Sequence, residues 1–283
     1  MRKVMITAAL TGGFHGKEAN PNLPEQPDEI ANAAFECYQA GACIAHIHAR
    51  DKSGKPTPDV EIYRDIKERI REKCDIVLSF STGGGPNLTP EQRIQSAFAD
   101  PEMGSLNMGT MVRTRWGEGT LFLNTRSQIE QWAQILNDRG IKPELEVYSH
   151  SMLVDVENLI QKGLIKPPYI INLVLGMTHQ GALPATERNL VSLVEYLPSN
   201  SIFNVTAVGR MQPLLTTLGT LLGGNPRVGF EDNVYYHKGV LAESNAQLVC
   251  RTVRIVKELD LEIATPKEAR EQLGLSGPKG VRS

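Results

Sequence analysis

Apolar residues along this chain recur in two alternating rhythms. Short apolar runs bounded by glycine or polar loop residues predict buried parallel strands. They lie at Lys3 to Leu10, Gly41 to His48, Ile76 to Phe80, Ser105 to Met108, Leu145 to Tyr148, Tyr169 to Leu175, Ile202 to Val208 and Arg227 to Phe230. Between them, apolar positions repeat at helical spacing. Ile30, Ala33, Ala34, Cys37 and Tyr38 form one stripe, opened by Pro27-Asp28-Glu29 and stopped by Gly41. Val60, Ile62, Tyr63, Ile66 and Ile70 form a second, and Ile129, Trp132, Ala133 and Leu136, ended by Gly140, a third. Thr89-Pro90-Glu91-Gln92 reads as a capping box. Further helices are expected near Met152–Lys162, Leu190–Leu197, Pro213–Leu222 and Ser244–Glu258.

About eight strand-then-helix units at a spacing of roughly 30 residues predict an α/β fold, a (β/α)8 TIM barrel. A doubly wound open sheet is the alternative, favoured if a weak strand such as that at Ser105 is false. No linker or low-complexity stretch interrupts the pattern, so residues 1–283 read as a single domain, with an exposed tail from about Gly277.

Composition narrows the function classes. A formal net charge of −2, with basic residues spread along the chain, argues against a nucleic-acid surface. No apolar run approaches a membrane span, and the start shows no secretory segment. Four scattered cysteines, without metal-type spacing, suit a reduced cytoplasmic setting.

The candidate chemistry begins at His46 and His48. Alternation along a strand puts both side chains on one face, where two imidazoles can share one ion. Barrel chemistry collects at the C-terminal strand ends. In a closed barrel the last strand adjoins the first, so Glu231 can face the two histidines as a third ligand and leave a position open, as catalytic zinc requires. Asp232 reads either as a cap or surface acid, or as a general base partnered by Arg227. Gly83-Gly84-Gly85 reads as a flexible turn or an anion nest. His15, His150, His179 and His237 read as surface or loop histidines.

These blocks resemble the β-keto acid cleavage enzymes. The resemblance is carried by Ile6 to Gly12, Pro21-Asn22-Leu23-Pro24, Gly41-Ala42 with His46-Ile47-His48-Ala49-Arg50, and Ser81-Thr82-Gly83-Gly84. It continues through Ser105 to Thr110, Pro143 to Tyr148, Gly229-Phe230-Glu231-Asp232-Asn233 and Tyr236 to Leu248. It implies a zinc-bearing TIM barrel, assembled as a homo-oligomer such as a tetramer. The implied reaction exchanges a β-keto acid with acetyl-CoA by a retro-Claisen route, giving acetoacetate and a new acyl-CoA. By position, the resemblance implies His46, His48 and Glu231 as metal ligands, Asp232 as the base and Arg227 as its partner. It implies that the Ser81 and Ser105 hydroxyls hold substrate or oxyanion. Phe14, Thr82, Gly83, Gly84, Asn107 and Glu144 are the expected substrate-binding residues. The amino-keto-acid member has a glutamate at the position of Phe14, and a phenyl ring cannot pair with an ammonium as a carboxylate does. Arg113 and Arg115 are candidates for a second substrate carboxylate, with surface positions the simpler expectation. The rival reading is a water-activating zinc hydrolase resembling the amidohydrolases.

Overall fold

The computed structural model describes residues 2–85, 87–114 and 120–277. Arg115 and the tail beyond Gly277 lie outside the described residues. Eight parallel strands close into a barrel. They are β1 (Thr7–Ala9), β2 (Ile44–Ile47), β3 (Val77–Phe80), β4 (Met103–Asn107), β5 (Lys142–Val147), β6 (Tyr169–Leu175), β7 (Ser201–Ala207) and β8 (Asn225–Val228). Each strand pairs with the next, and β8 returns to β1 through Arg227 opposite Thr7 and Val228 opposite Ala8. This order is a (β/α)8 barrel and excludes the open sheet. The weak strand at Ser105 is real, since β4 pairs with β3 on one side and β5 on the other.

Helices α1 (Pro27–Ala40), α2 (Val60–Arg71), α3 (Pro90–Arg93), α4 (Arg126–Asp138), α5 (His150–Gln161), α6 (Glu187–Glu195), α7 (Gln212–Leu221) and α8 (Asn245–Glu258) follow the strands in turn. The Thr89/Gln92 capping box is formed, but α3 lasts one turn and continues as a 3-10 segment, Ile94–Ala99. A ninth helix, α9 (Pro266–Leu273), lies beyond the expected end of the helical pattern. Its capping box, Thr265 with Glu268, was a visible start signal.

Two strands differ from expectation. The first apolar run divides: Lys3–Val4 pairs with Glu262–Ile263 outside the barrel, and only Thr7–Ala9 joins the closed sheet. The Met5 N–H between them donates to Asn225 Oδ1 at 2.9 Å, diverting the backbone from the ladder. The last strand stops at Val228, short of the expected Phe230. Gly229 adopts φ +148°, and a Cβ there would lie 2.1 Å from the Ala9 carbonyl oxygen. The close approach of β1 ends the strand and releases Glu231 and Asp232 into the loop above it.

At the opposite end, α9 is tied to the barrel through a buried ion network. Arg270 donates to Glu102 at 2.5 and 3.0 Å and to Asp75 at 2.8 Å, while Arg71 reaches Glu102 at 2.6 Å. Removing one partner of such a group leaves the other charge buried, at a cost of about 3–5 kcal/mol. Arg270→Ala should therefore lower unfolding free energy in chemical denaturation by roughly 3 kcal/mol, near the low end because Arg71 still holds Glu102. A loss below about 1 kcal/mol would show that the network contributes only surface-type pairing.

Candidate metal centre and active site

His46 lies near the end of β2, which closes at Ile47, and His48 follows at once, both buried. Their rings meet edge to face with centroids 5.5 Å apart. Glu231, carried from β8 to the far side of β1, closes the group. Its Oε2 lies 3.6 Å from His46 Nε2 and its Oε1 lies 3.4 Å from His48 Nε2. One ligand atom from each residue falls within 4.8 Å of the others. Among the described residues, His46 Nε2 and Glu231 Oε2 have no hydrogen-bond partner. Buried lone pairs turned toward one another are costly unless a cation lies between them. The triad therefore fits a divalent metal ion.

Local structure holds each ligand in place. His46 Nδ1 lies 3.4 Å from Ser79 Oγ, and Ser79 donates to Glu144 Oε2 at 3.2 Å. Asn204 holds the other Glu144 oxygen at 2.9 Å. These contacts behind the ring turn Nε2 toward Glu231. Burial, reinforced by the Arg227 charge, keeps the His46 imidazole well below its usual range and hence neutral, as a ligand must be. Gly12 leaves room for the carboxylate. At φ +70°, a Cβ on Gly12 would lie 2.7 Å from Glu231 Cγ.

Arg227 ties the metal group to a second carboxylate. Its Nε and Nη2 donate to the two oxygens of Asp232 at 3.0 and 3.1 Å. Nη2 also lies 2.7 Å from Glu231 Oε1, and Nη1 donates to Glu146 Oε1 at 3.4 Å. The buried guanidinium thus faces three acids. Burial pushes Asp232 up to about 6 despite Arg227, with Glu231 adding to the rise. Burial likewise lifts Glu146 to about 8. For Glu231, burial acts upward, but Arg227, His48 and His46 outweigh it and hold the carboxyl well below its usual range. The acids are therefore differentiated: Glu231 is held in its anionic form, while Asp232 and Glu146 are shifted toward the neutral one.

A cavity of about 110 Å³ opens above these groups. Of the expected substrate-side residues, Phe14, Ser81, Gly83, Gly84 and Asn107 line it, as do Arg227, Glu231, Asp232 and His48. Ser105, Thr82 and Glu144 do not. Ser105 Oγ accepts the Thr82 N–H at 3.0 Å, and Thr82 Oγ1 donates to the Ser105 carbonyl at 2.6 Å. Their polar groups bind each other, bracing the loop that carries Gly83. Glu144 lies in register with Ser105, one inward-facing layer below Asn107 and Glu146. In that lower layer Ser105 and Glu144 stand behind the cavity wall rather than on it. By the same alternation, Glu146 and Tyr148 reach the cavity. His15 and His179, read as surface or loop histidines, also line it, from a loop and a 3-10 turn. No periodic signal marks them, because neither segment is long enough to carry one.

Comparison with known proteins supplies the family. The family model described as beta-keto acid cleavage enzyme matches residues 3–275. The chain is 42% identical over 277 residues to the 3-keto-5-aminohexanoate cleavage enzyme of Acetoanaerobium sticklandii, covering 98% of this chain and 100% of that protein. It is 34% identical to the 3,5-dioxohexanoate:acetyl-CoA acetone transferase of Paraburkholderia graminis, covering 98% and 97%. Among solved structures, apo ObcA superposes with a TM-score of 0.75 at 19% identity, over 90% of this chain. The chain spans only 66% of ObcA, and this likeness concerns the fold alone. Full-length identity and the matched family model together place the protein: it belongs to the β-keto acid cleavage enzyme family.

Proposed function

We propose that the protein exchanges a β-keto acid with acetyl-CoA, giving acetoacetate and a new acyl-CoA. The observation that carries this reading is the placement of Asp232, clamped by Arg227, beside the His46–His48–Glu231 donor set in one cavity. A base next to a metal-anchored carbonyl compound is what enolate formation needs. The Paraburkholderia relative, by its name an acetyl-CoA acetone transferase, supports acetyl-CoA as the co-substrate.

His46, His48 and Glu231 would hold one zinc ion per subunit, since two imidazoles and a carboxylate are a zinc-type donor set. When bound, the ion supplies Lewis-acid polarisation of the keto acid and orients it. Asp232 accepts the α-proton; its raised pKa of about 6 matches a base working near neutrality. Arg227 grips both Asp232 oxygens, fixing the direction of the base and balancing the charge it carries before proton transfer. Ser81 and the Gly83–Gly84 turn form the wall beside the reacting carbons, and the Ser105–Thr82 pair keeps that wall in place. Phe14 borders the space left for the keto acid's side chain.

We further infer a single domain over residues 1–283, working in the cytoplasm as a homo-oligomer, a tetramer by family resemblance. The four cysteines are free, in keeping with a reducing setting. No helix among the described residues is long and apolar enough to cross a membrane. Tyr196, Leu214 and Leu221, in and beside α6 and α7, are 65%, 59% and 62% exposed, apolar surface that a second copy would cover.

Three outcomes test the reading. Purified protein should form acetoacetate only when zinc, a β-keto acid and acetyl-CoA are all present, and Asp232→Asn should lower kcat by about 10²–10⁴-fold with metal content retained. Cleavage without acetyl-CoA would point instead to a hydrolase. In a substrate panel, wild type should prefer β-keto acids without an amine, and Phe14→Glu should shift preference toward the amino-keto acid. A wild type that already prefers the amine would refute this selectivity. The third outcome concerns Glu146, whose folded pKa of about 8 exceeds the ordinary carboxyl value of 4.5. Its contribution to stability is complete below pH 4.5 and is lost as pH rises through about 8. In chelated protein, Glu146→Gln should flatten the fall in unfolding free energy over that window; an unchanged slope would mean that Glu146 is ionised throughout.

A further inference from the structure

The Ser105 hydroxyl, expected to stabilise the oxyanion, accepts the Thr82 N–H and does not line the cavity. On β4, two residues nearer the mouth, Asn107 is 1% exposed and lines the cavity. Its two amide atoms differ sharply in their surroundings. Oδ1 accepts the Tyr148 hydroxyl at 2.9 Å, whereas Nδ2 has no partner among the described residues. A buried amide N–H₂ with no acceptor is costly unless something fills the space before it.

The barrel sets where that donor stands. In the ring of eight strands, β4 lies opposite β8. Asn107 therefore faces the Arg227–Asp232 side across the mouth. A Cβ built on Gly83 would lie 3.9 Å from both Asn107 Nδ2 and His48 Cε1, and 3.2 Å from Ser81 Oγ. The Asn107 amide, the Ser81 hydroxyl and the metal-side imidazole thus converge on the space beside Gly83.

We propose that the Asn107 side-chain amide is the oxyanion donor for the thioester carbonyl, and that Tyr148 is the residue that orients it. This rests on the acetyl-CoA exchange proposed above. In the step concerned, Asp232 takes the α-proton and the freed C–H electron pair forms a bond to the thioester carbon. The carbonyl π pair moves onto oxygen, where the Asn107 N–H donates to the developing negative charge. When that pair returns, the C–S bond breaks and the coenzyme leaves as thiolate.

The Tyr148 hydroxyl decides which end of the amide meets the reactant. It has one proton, and while that proton lies on Asn107 Oδ1, only the N–H₂ group can face the cavity. The Glu146 carboxyl, 3.4 Å away on the other side of the hydroxyl, is the competing acceptor. Without the tyrosine hydroxyl the amide is free to rotate and present oxygen to the same space. Tyr148 is therefore a positioning residue and acts only through Asn107.

The test separates two readouts on the zinc-loaded enzyme: turnover with acetyl-CoA, and exchange of the keto acid α-proton with D₂O in its absence. Asn107→Ala should lower turnover by about 10²–10³-fold, the usual loss for one oxyanion donor, while exchange falls far less. Tyr148→Phe should lower kcat by about tenfold with KM for the keto acid little changed, and should have almost no further effect in the Asn107→Ala background. Independent, multiplying losses in the double variant, or equal losses of turnover and exchange in Asn107→Ala, would overturn the assignment. An exchange rate of zero in wild type, with folding and zinc content normal, would instead strike the proposed function from which it follows. Circular dichroism and metal content of each variant exclude loss through misfolding.

Discussion

A single buried cation facing too many acids governs the active end of this barrel. Arg227 is 2% exposed and meets Glu146, Glu231 and Asp232, while the two neighbouring imidazoles add no charge when neutral. Buried charges persist only when paired, and one guanidinium cannot neutralise three carboxylates. The structure relieves the surplus in two ways. Burial keeps a proton on Glu146, pushed up to about 8, and the open lone pairs of His46 and Glu231 face a space suited to a divalent cation. Arg227 then has Asp232 as its bidentate partner. Clamping the base and selecting for a cation are two consequences of one charge imbalance.

That imbalance depends on ring closure. Glu231 and the histidines are separated by most of the chain, yet only β1 stands between β8 and β2. Two glycines make the junction close enough. Gly229 lets the end of β8 lie against the Ala9 carbonyl, and Gly12 lets the β1 loop pass beside the Glu231 side chain. A side chain at either point would separate the acid from the imidazoles. The histidine-bearing strand contributes little more than direction, since Ser79, Glu144 and Asn204 behind it set the ring.

Much of this was legible in the sequence, and the limits have physical reasons. Alternating apolar runs and helical stripes imply the barrel because a parallel sheet covered on both faces must be apolar along its strands. From the barrel, the meeting of His46, His48 and Glu231 follows by ring closure. Height along the barrel axis does not follow. A period of two assigns Ser105 and Asn107 to one face without saying which reaches the mouth, and it is Asn107 that lines the cavity. The hairpins formed by Met111–Arg113 with Thr120–Phe122, and by Tyr235–His237 with Val240–Leu241, were also illegible. Their strands are too short for any period to register. His15 and His179 reach the cavity from a loop and a short 3-10 turn, where side-chain direction depends on tertiary contacts rather than spacing.

The two sides of the cavity answer to different constraints, and this bears on how such a site can change substrate. Arg227, Glu231 and Asp232 are linked through shared contacts, so a change at one alters the charge and geometry of the others. Phe14, Phe122, Val174, Met177 and Val208 also line the space, and none of them carries a formal charge. An apolar wall can be altered one residue at a time, at the modest cost of repacking. The charged side cannot, because each removed partner leaves a buried ion behind. Selectivity for the keto acid's side chain can therefore shift through wall residues such as Phe14 while the chemistry stays fixed. The same asymmetry explains why a phenyl ring, which carries no net charge, can occupy that position.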